Sequence, residues 1–237
     1  MIIVFRGLKR AYRIGTVQLQ RQSSLCSAAI AALLFAGLTC TVGFGTTKSI
    51  DDHVTRAMQA WPASWLDWAS SLLAVLGSVE VAAPVALILG VLVWRCEPRL
   101  AVLLAGAAVL ATVIEFALKY SLTHPGPLHE FRLVRIGLLA RAVDPASSAF
   151  AGPALPNTYP SGHVVRAVLL AFTASALVSR REITIAAAVF VLAMALSRIY
   201  MGSHWASDVV GGVLLGWCCI GASTAWRGNG ASADRHT

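Results

Sequence analysis

Apolar residues occur in long runs along this chain, and short polar stretches separate them. The first run, from Gln22 to Thr47, contains no charged residue. Because about 20 apolar residues span the hydrocarbon core of a bilayer, this run predicts an uncleaved transmembrane helix. Five further runs predict five more spans, at about 76–94, 100–118, 163–179, 183–199 and 208–225. The chain is therefore predicted to be an all-α integral membrane bundle of six transmembrane helices.

The segment after the first span has a different pattern. Its apolar residues recur at intervals of three and four, which places them on one face of a helix. They are Val54, Met58, Trp61, Trp65, Trp68 and Leu72. Because tryptophan is concentrated at membrane–water boundaries, this pattern predicts an interfacial helix, although an ordinary packing face fits the same spacing. Pro62 is expected to kink this helix.

The composition excludes several classes of protein. Hydrophobic residues make up 57% of the chain and charged residues 13%, whereas soluble domains average about 25% charged residues. The net charge of +8 does not indicate a nucleic-acid partner, because many basic residues flank apolar runs instead of clustering on a soluble face. The five cysteines are odd in number and lack metal-ligand or redox spacing, so we expect no disulfide framework and no metal site.

Basic residues at the ends of the spans predict the orientation of the chain. Residues 1–25 are basic, and the short loops after the second and fourth spans each contain two arginines. The positive-inside rule places these segments in the cytoplasm. We therefore expect a cytoplasmic tail over 1–25, a six-span domain over 26–225 and a cytoplasmic tail over 226–237. A bacterial plasma membrane is the expected location, and the sequence does not indicate an oligomeric state.

Three polar segments are predicted to lie together at the outer face. They cover residues 119–127, 159–163 and 197–208. Ionisable groups in membrane helices are costly and are therefore candidates for function. The 119–162 stretch is also rich in proline and long for a loop, and such loops are commonly functional or disordered.

The residue types in these segments are those that bind an anion. Ser161 is a suitable N-cap, and the helix after it would offer free backbone N–H groups and the positive end of its dipole. Lys119 and Arg198 add positive charge. These features predict a phosphate-binding site.

Two histidines supply groups that can act on phosphorus or transfer protons near neutral pH. They are His163 and His204. Asp208 follows His204 by one helical turn, so its carboxylate can orient that imidazole. Together with the cations, these groups predict a phosphoryl-transfer site that needs no metal ion and no cofactor.

The three segments resemble the signature of the type 2 phosphatidic acid phosphatase superfamily, which also includes the vanadium-dependent haloperoxidases. The family pattern is Lys, six residues and Arg-Pro; then Pro-Ser-Gly-His; then Ser-Arg, five residues, His, three residues and Asp. The second motif is intact as Pro160, Ser161, Gly162 and His163. The third is intact as Ser197, Arg198, His204 and Asp208. The first departs from the pattern, because Lys119 and Pro127 fit but Gly126 stands where the family has Arg.

The resemblance implies a role for each matching residue. His204 would attack phosphorus and form a phosphohistidine, while Asp208 holds its ring. His163 would protonate the leaving oxygen and then activate water. The groups expected to bind the phosphate oxygens are Lys119, Ser161, the Gly162 N–H and Arg198.

Because position 126 lacks the family arginine, we expect another residue to supply its positive charge. The long outer loop offers Arg132, Arg135 and Arg141, and we expect Arg132 or Arg135 because they lie closer in sequence to Lys119. A solvated role or contacts with lipid headgroups fit these arginines equally well.

Other polar residues have plainer interpretations. Glu115 precedes Lys119 by four residues, so an intrahelical ion pair is expected, although Lys119 could also extend to the membrane interface. His124 and His129 are expected to be loop residues, because no motif includes them. Arg166 lies one turn into its span without a matching family position. Close helix packing is expected at Gly211, Gly212 and Gly216.

The predicted function is an integral membrane phosphatase acting on a lipid phosphate or pyrophosphate at the outer face. Its expected partners are a lipid substrate and the bilayer. The substrate classes left open are polyprenyl pyrophosphate, phosphatidate and phosphatidylglycerophosphate. A lipid-to-lipid phosphotransferase is the nearest alternative, because a phosphohistidine serves either acceptor. A catalytically silent lipid-binding or transport protein is the other, because of Gly126.

Overall fold

The computed structural model describes residues 21–127 and 157–233, and the regular elements within these ranges are all α-helices. They are α1 Arg21–Gly43, α2 Lys48–Gln59, α3 Ser64–Gly77, α4 Val79–Cys96, α5 Pro98–Ser121, α6 Gly162–Val178, α7 Arg181–Tyr200 and α8 Ala206–Ala233. The predicted all-α class is confirmed for this part of the chain. Because α8 continues to Ala233, the tail predicted from residue 226 begins inside a helix.

Within residues 21–127 and 157–233, five stretches of helix are long and apolar enough to cross a membrane. They are Leu25–Gly43 in α1, all of α4, α5 and α7, and Ala206–Thr224 in α8. The remaining predicted span, α6, is apolar but has 17 residues and a length of about 26 Å, against about 30 Å for the hydrocarbon core. Length and composition thus indicate a multi-pass membrane protein, while the count of six spans and their orientation stay predictions.

The segment predicted to form one interfacial helix forms two. Helix α2 ends at Gln59 and α3 begins at Ser64, with Pro62 in the break. Proline lacks a backbone N–H and disfavours a helical conformation at the residue before it. The prediction of a single kinked helix is therefore wrong, because the chain is interrupted at this point.

The tryptophan face of this segment lies on the outside of the bundle. Trp61, Trp65 and Trp68 are 82%, 70% and 58% exposed. Val54 and Met58, which were predicted on the same face, pack against the buried core of the bundle instead. The exposed aromatic surface agrees with an interfacial location, since tryptophan suits the boundary between lipid and water.

Helix α8 is central to the bundle and packs against α1, α5 and α6. Its glycines permit close approach of neighbouring groups. A Cβ added at Gly211 would lie 2.5 Å from the ring of Tyr159, and one at Gly212 would lie 2.7 Å from the carbonyl oxygen of Ser161. A Cβ at Gly216 would meet side chains of α6. The predicted close helix packing is confirmed at Gly212 and Gly216, where α8 meets the start and the first turns of α6, whereas Gly211 packs against Tyr159, which precedes that helix.

Candidate active site

The three polar segments meet at one end of the bundle, where α5 and α7 end and α6 and α8 begin. Contacts between distant residues join them. The N–H of Ser161 donates to the carbonyl of Asp208 (2.9 Å). The indole N–H of Trp205 donates to the carbonyl of Pro125 (2.9 Å). These bonds connect the third segment to both of the others and fix the positions of their side chains.

His204 lies between α7 and α8, and Asp208 lies in the first turn of α8. Nδ1 of His204 is 3.3 Å from Oδ2 of Asp208, whose side chain is completely buried. The same oxygen accepts the N–H of Trp205 (3.0 Å), which caps the start of α8. A carboxylate only accepts hydrogen bonds, so we assign the proton to Nδ1 and the lone pair to Nε2. This arrangement leaves Nε2 of His204 available as a nucleophile.

The surroundings of His204 favour its neutral form. Burial lowers the pKa of His204 below its ordinary value of 6.5. The hydrogen bond and charge of Asp208 raise this pKa and oppose the shift, whereas the charges of Lys119 and Arg198 lower it further. A neutral imidazole at pH 7 is the form that can attack phosphorus.

His163 lies in the first turn of α6, beside His204. The centroids of the two rings are 6.4 Å apart and their planes are inclined at 62°. Helix α3 reaches this ring through Gly77, where an added Cβ would lie 2.8 Å from Cδ2 of His163. The two histidines are therefore close enough to act on one substrate group.

Ser161 occupies the predicted N-cap position of α6, but its hydroxyl does not cap the helix. The residue is completely buried, and its Oγ has no hydrogen-bond partner in the described part of the chain. A buried hydroxyl that lacks a partner is costly. Its position beside the first N–H groups of α6 makes it available to a ligand with acceptor oxygens.

Glu115 and Lys119 form the ion pair that their spacing predicts. Nζ of Lys119 lies 2.7 Å from Oε1 of Glu115, and both side chains are buried. The carboxylate of Glu115 also lies against Gly162, because a Cβ added there would overlap it. Glu115 thus places a negative charge beside the start of α6, where the phosphate is predicted to bind.

Arg198 is 1% exposed and is held by neighbouring polar groups. Its Nη2 donates to the carbonyl of Ser70 in α3 (3.0 Å), and its Nε donates to Oγ of Ser197 (3.3 Å). Its charge acts on the rings of both His163 and His204. Arg198 therefore contributes positive potential where the histidines meet.

The space beside Gly126 is occupied by Thr158. A Cβ added at Gly126 would lie 2.6 Å from Cγ2 of Thr158. The Asn157 amide donates to the carbonyl of Lys119 (2.9 Å) and accepts the N–H of His124 (2.7 Å), which holds the two stretches together. A longer side chain at 126 would require Thr158 to move. The proposed replacements Arg132, Arg135 and Arg141 lie outside the described residues, as does His129.

His124 lies in a loop, as predicted, but its burial and its main contact were not predicted. The residue is 8% exposed, and its Nε2 lies 3.2 Å from Oδ1 of Asp208. The available sequence signal is its position within the first polar segment, between Lys119 and Pro127.

Two further contacts attach the short helices to the site. In α6, Nε of Arg166 donates to the carbonyl of Gly77 (2.9 Å), the last residue of α3. The N–H and Oγ of Ser207 in α8 donate to the two carboxylate oxygens of Asp51 in α2 (2.9 and 2.8 Å). Helices α2 and α3 are therefore part of the support around the two histidines.

Comparisons with known proteins show the family of the chain and a protein of similar fold. A sequence model of the PAP2 superfamily matches residues 100–231, more than half of the chain, and this range includes all three polar segments. The fold is similar to the crystal structure of the first transmembrane PAP2 type phosphatidylglycerolphosphate phosphatase from Bacillus subtilis. The TM-score is 0.64 at 17% identity, covering 86% of this chain and 96% of that one. No curated protein sequence matches the chain. From the family match, the chain belongs to the PAP2 superfamily.

Proposed function

We propose that this protein is an integral membrane phosphatase that hydrolyses a lipid phosphate or pyrophosphate through a phosphohistidine. The observation that carries the proposal is the pair of rings of His163 and His204, 6.4 Å apart, with the buried Asp208 carboxylate against Nδ1 of His204. Such a pair provides a nucleophile and a proton carrier for one substrate group.

In the first step, Nε2 of His204 attacks phosphorus. The new P–N bond forms as the bond from phosphorus to the leaving oxygen breaks, and His163 gives that oxygen a proton. Asp208 stabilises the positive charge that develops on His204. The products of this step are a phosphohistidine and the departing alcohol or phosphate.

In the second step, water attacks the phosphohistidine. His163 accepts the proton of the water, the P–N bond breaks, and inorganic phosphate is released. A lipid hydroxyl in place of water would make the protein a phosphotransferase. Both steps are balanced without an oxidant, a reductant or a metal ion.

The charges around the histidines suit the transition state of this reaction. Negative charge grows on the equatorial phosphate oxygens, and fixed donors stabilise it. The charges of Lys119 and Arg198 act on both histidines, and Ser161 offers a buried hydroxyl. The N–H of Gly162 is the fourth proposed donor, at the positive end of α6.

The substrate is proposed to be anchored in the bilayer, since the site lies at the ends of helices long and apolar enough to cross a membrane. Phosphatidylglycerophosphate is one candidate, since the similar Bacillus subtilis protein is described as a phosphatase for this lipid. Phosphatidate and polyprenyl pyrophosphate are the others. We further propose that the site opens on the outer face of a bacterial plasma membrane, with both termini in the cytoplasm.

A screen of phosphate release tests this proposal. Purified protein is incubated with vesicles containing each of the three lipid classes, with and without a chelator. We expect release from at least one class, unchanged by chelator and abolished in His204→Ala and in His163→Ala. Circular dichroism verifies that both variants are folded. Turnover near that of the wild type in either variant contradicts the proposal, and binding without release identifies a silent relative.

A further inference from the structure

His124 is firmly positioned although it lies outside any helix. Its N–H donates to Oδ1 of Asn157 (2.7 Å), and its carbonyl accepts the N–H of Thr158 (3.1 Å). Its ring makes an edge contact with the buried Tyr159, with centroids 6.2 Å apart and planes at 85°. The backbone and the ring are thus both fixed by the residues that lead into α6.

Because the ring of His124 is fixed, its Nε2 lies beside the carboxylate of Asp208. Nε2 lies 3.2 Å from Oδ1 of Asp208, while Oδ2 of the same carboxylate faces Nδ1 of His204 at 3.3 Å. One buried carboxylate therefore lies between two imidazoles, each next to a different oxygen. Because His124 meets the other oxygen, its contact does not compete with that of His204.

The contact matters because Asp208 is 0% exposed. A buried carboxylate oxygen without a donor is costly, and rotation of the carboxylate would loosen its hold on His204. Within the described ranges, Oδ1 accepts no hydrogen bond of good geometry, and the side-chain nitrogen that approaches it is Nε2 of His124, at an ion-pair distance of 3.2 Å. His124 is thus placed to fix the plane of the carboxylate.

The groups around His124 indicate which of its ring nitrogens carries the hydrogen. Oγ of Ser207 also lies near Nε2 of His124, at 3.5 Å, but it donates its hydrogen to Asp51 at 2.8 Å. Ser207 therefore faces Nε2 with a lone pair. Both neighbours of Nε2 are acceptors, which favours the tautomer of His124 that carries hydrogen on Nε2.

We propose that His124 is a positioning residue for phosphoryl transfer: it holds Asp208, and Asp208 holds His204 with Nε2 directed at phosphorus. This inference rests on the proposed function. His124 is not proposed to touch the substrate, so its loss should lower kcat and leave KM nearly unchanged.

The matched variants are His124→Gln and His124→Asn. The amide nitrogen of Gln reaches about as far as Nε2 of histidine, whereas that of Asn reaches only about as far as Nδ1. Both are neutral polar residues, so their effects on folding should be similar. His53→Asn, at an exposed position of α2, is the control.

We expect His124→Asn to lower kcat by about tenfold or more, as the loss of groups that orient a functional histidine commonly does, with KM within about twofold. His124→Gln should keep kcat within about threefold of the wild type, and His53→Asn should match the wild type. Equal kcat in the Gln and Asn variants, whether both low or both high, overturns the proposal.

Nitrogen NMR of the histidine side chains gives a second readout that does not require turnover. In the wild type and in His124→Gln, we expect hydrogen on Nδ1 of His204. In His124→Asn, we expect a mixture of tautomers. If no lipid is hydrolysed by the wild type, the proposed function fails, and the NMR comparison still decides whether His124 positions Asp208. Identical His204 signals in all three proteins overturn the inference.

Discussion

At the level of single residues, the proposed chemistry depends on which nitrogen of His204 is free. The carboxylate of Asp208 fixes Nδ1 as the donor, and burial disfavours the charged imidazolium. The neighbouring cation Lys119 is already paired with Glu115 before any phosphate binds. The proposed nucleophile therefore has its free nitrogen set before substrate binds, while Glu115 compensates part of the positive charge proposed to bind the phosphate.

The lowered pKa of His204 leads to a prediction about pH. His204 must be neutral to attack, so activity is lost as pH falls through its pKa. Because burial lowers this pKa, the acid limb of kcat/KM should lie below pH 6.5. In Asp208→Asn, the interactions with Asp208 that raise the pKa of His204 are lost, so the acid limb of kcat/KM should move to still lower pH. The same change should lower kcat by up to about 10⁴-fold.

The measurement is the pH profile of kcat/KM for the wild type and for Asp208→Asn with one substrate. The difference between the two profiles is independent of the ionisation of the substrate phosphate. A limb that moves to higher pH in Asp208→Asn would contradict the assigned role of the carboxylate.

A second prediction concerns the pairing of Lys119 with Glu115. In Glu115→Gln, Lys119 loses the carboxylate that competes with phosphate for it, so KM should fall roughly tenfold, which corresponds to about 1.4 kcal/mol. The free protein should have a lower Tm, because a buried cation is left unpaired. Vanadate, which resembles phosphate, should raise the Tm of the variant more than that of the wild type.

Glu182→Gln is the control, because Glu182 is exposed in the first turn of α7. It should leave KM and the vanadate effect unchanged. An increase of KM in Glu115→Gln would show that Glu115 assists binding instead of competing with it.

At the level of elements, the first polar segment departs from the family pattern at Gly126, where it packs against the residues that lead into α6. The methyl group of Thr158 would lie only 2.6 Å from a Cβ at Gly126. Gly126→Arg alone should therefore lower the Tm. Gly126→Arg combined with Thr158→Ser should recover part of the loss, because serine keeps the hydroxyl and removes the methyl group.

The double variant also tests the replacement of the missing cation. If Arg132, Arg135 or Arg141 supplies the charge, its change to Ala should lower kcat/KM by about tenfold or more in an otherwise unchanged protein. In the Gly126→Arg, Thr158→Ser background, the same change should have a smaller effect. Unchanged kcat/KM in all three single variants would show that the site works with one cation fewer.

Some helix boundaries and buried contacts could not be predicted from the sequence. Hydrophobic runs located the long helices, because membrane spans depend on length and composition. They did not locate the break at Pro62, since the periodicity of the tryptophans continues across it. The contact of His124 with Asp208 joins residues that are 84 positions apart (208 − 124), and it depends on how Asn157 and Thr158 hold the backbone. No local pattern contains that information.

At the level of the whole molecule, residues from four helix ends form one site. Helices α5 and α7 bring Lys119 and Arg198, and the starts of α6 and α8 bring His163 and Asp208. The helices with membrane-spanning character keep these ends together, and α2 and α3 pack against the same end through Asp51 and Ser70. A polar site held in this way suits the proposed substrate, a lipid phosphate whose tail would lie in the bilayer.

Trapping the covalent intermediate tests directly whether His204 is the nucleophile. Wild-type protein is mixed with a radiolabelled lipid phosphate that it hydrolyses, quenched in alkali within one turnover, and digested for mass spectrometry. A phosphohistidine is stable in alkali and labile in acid, and we expect this label on the peptide that contains His204. Rapid turnover that continues in His204→Ala, or a label on any other residue, would contradict this assignment of the nucleophile.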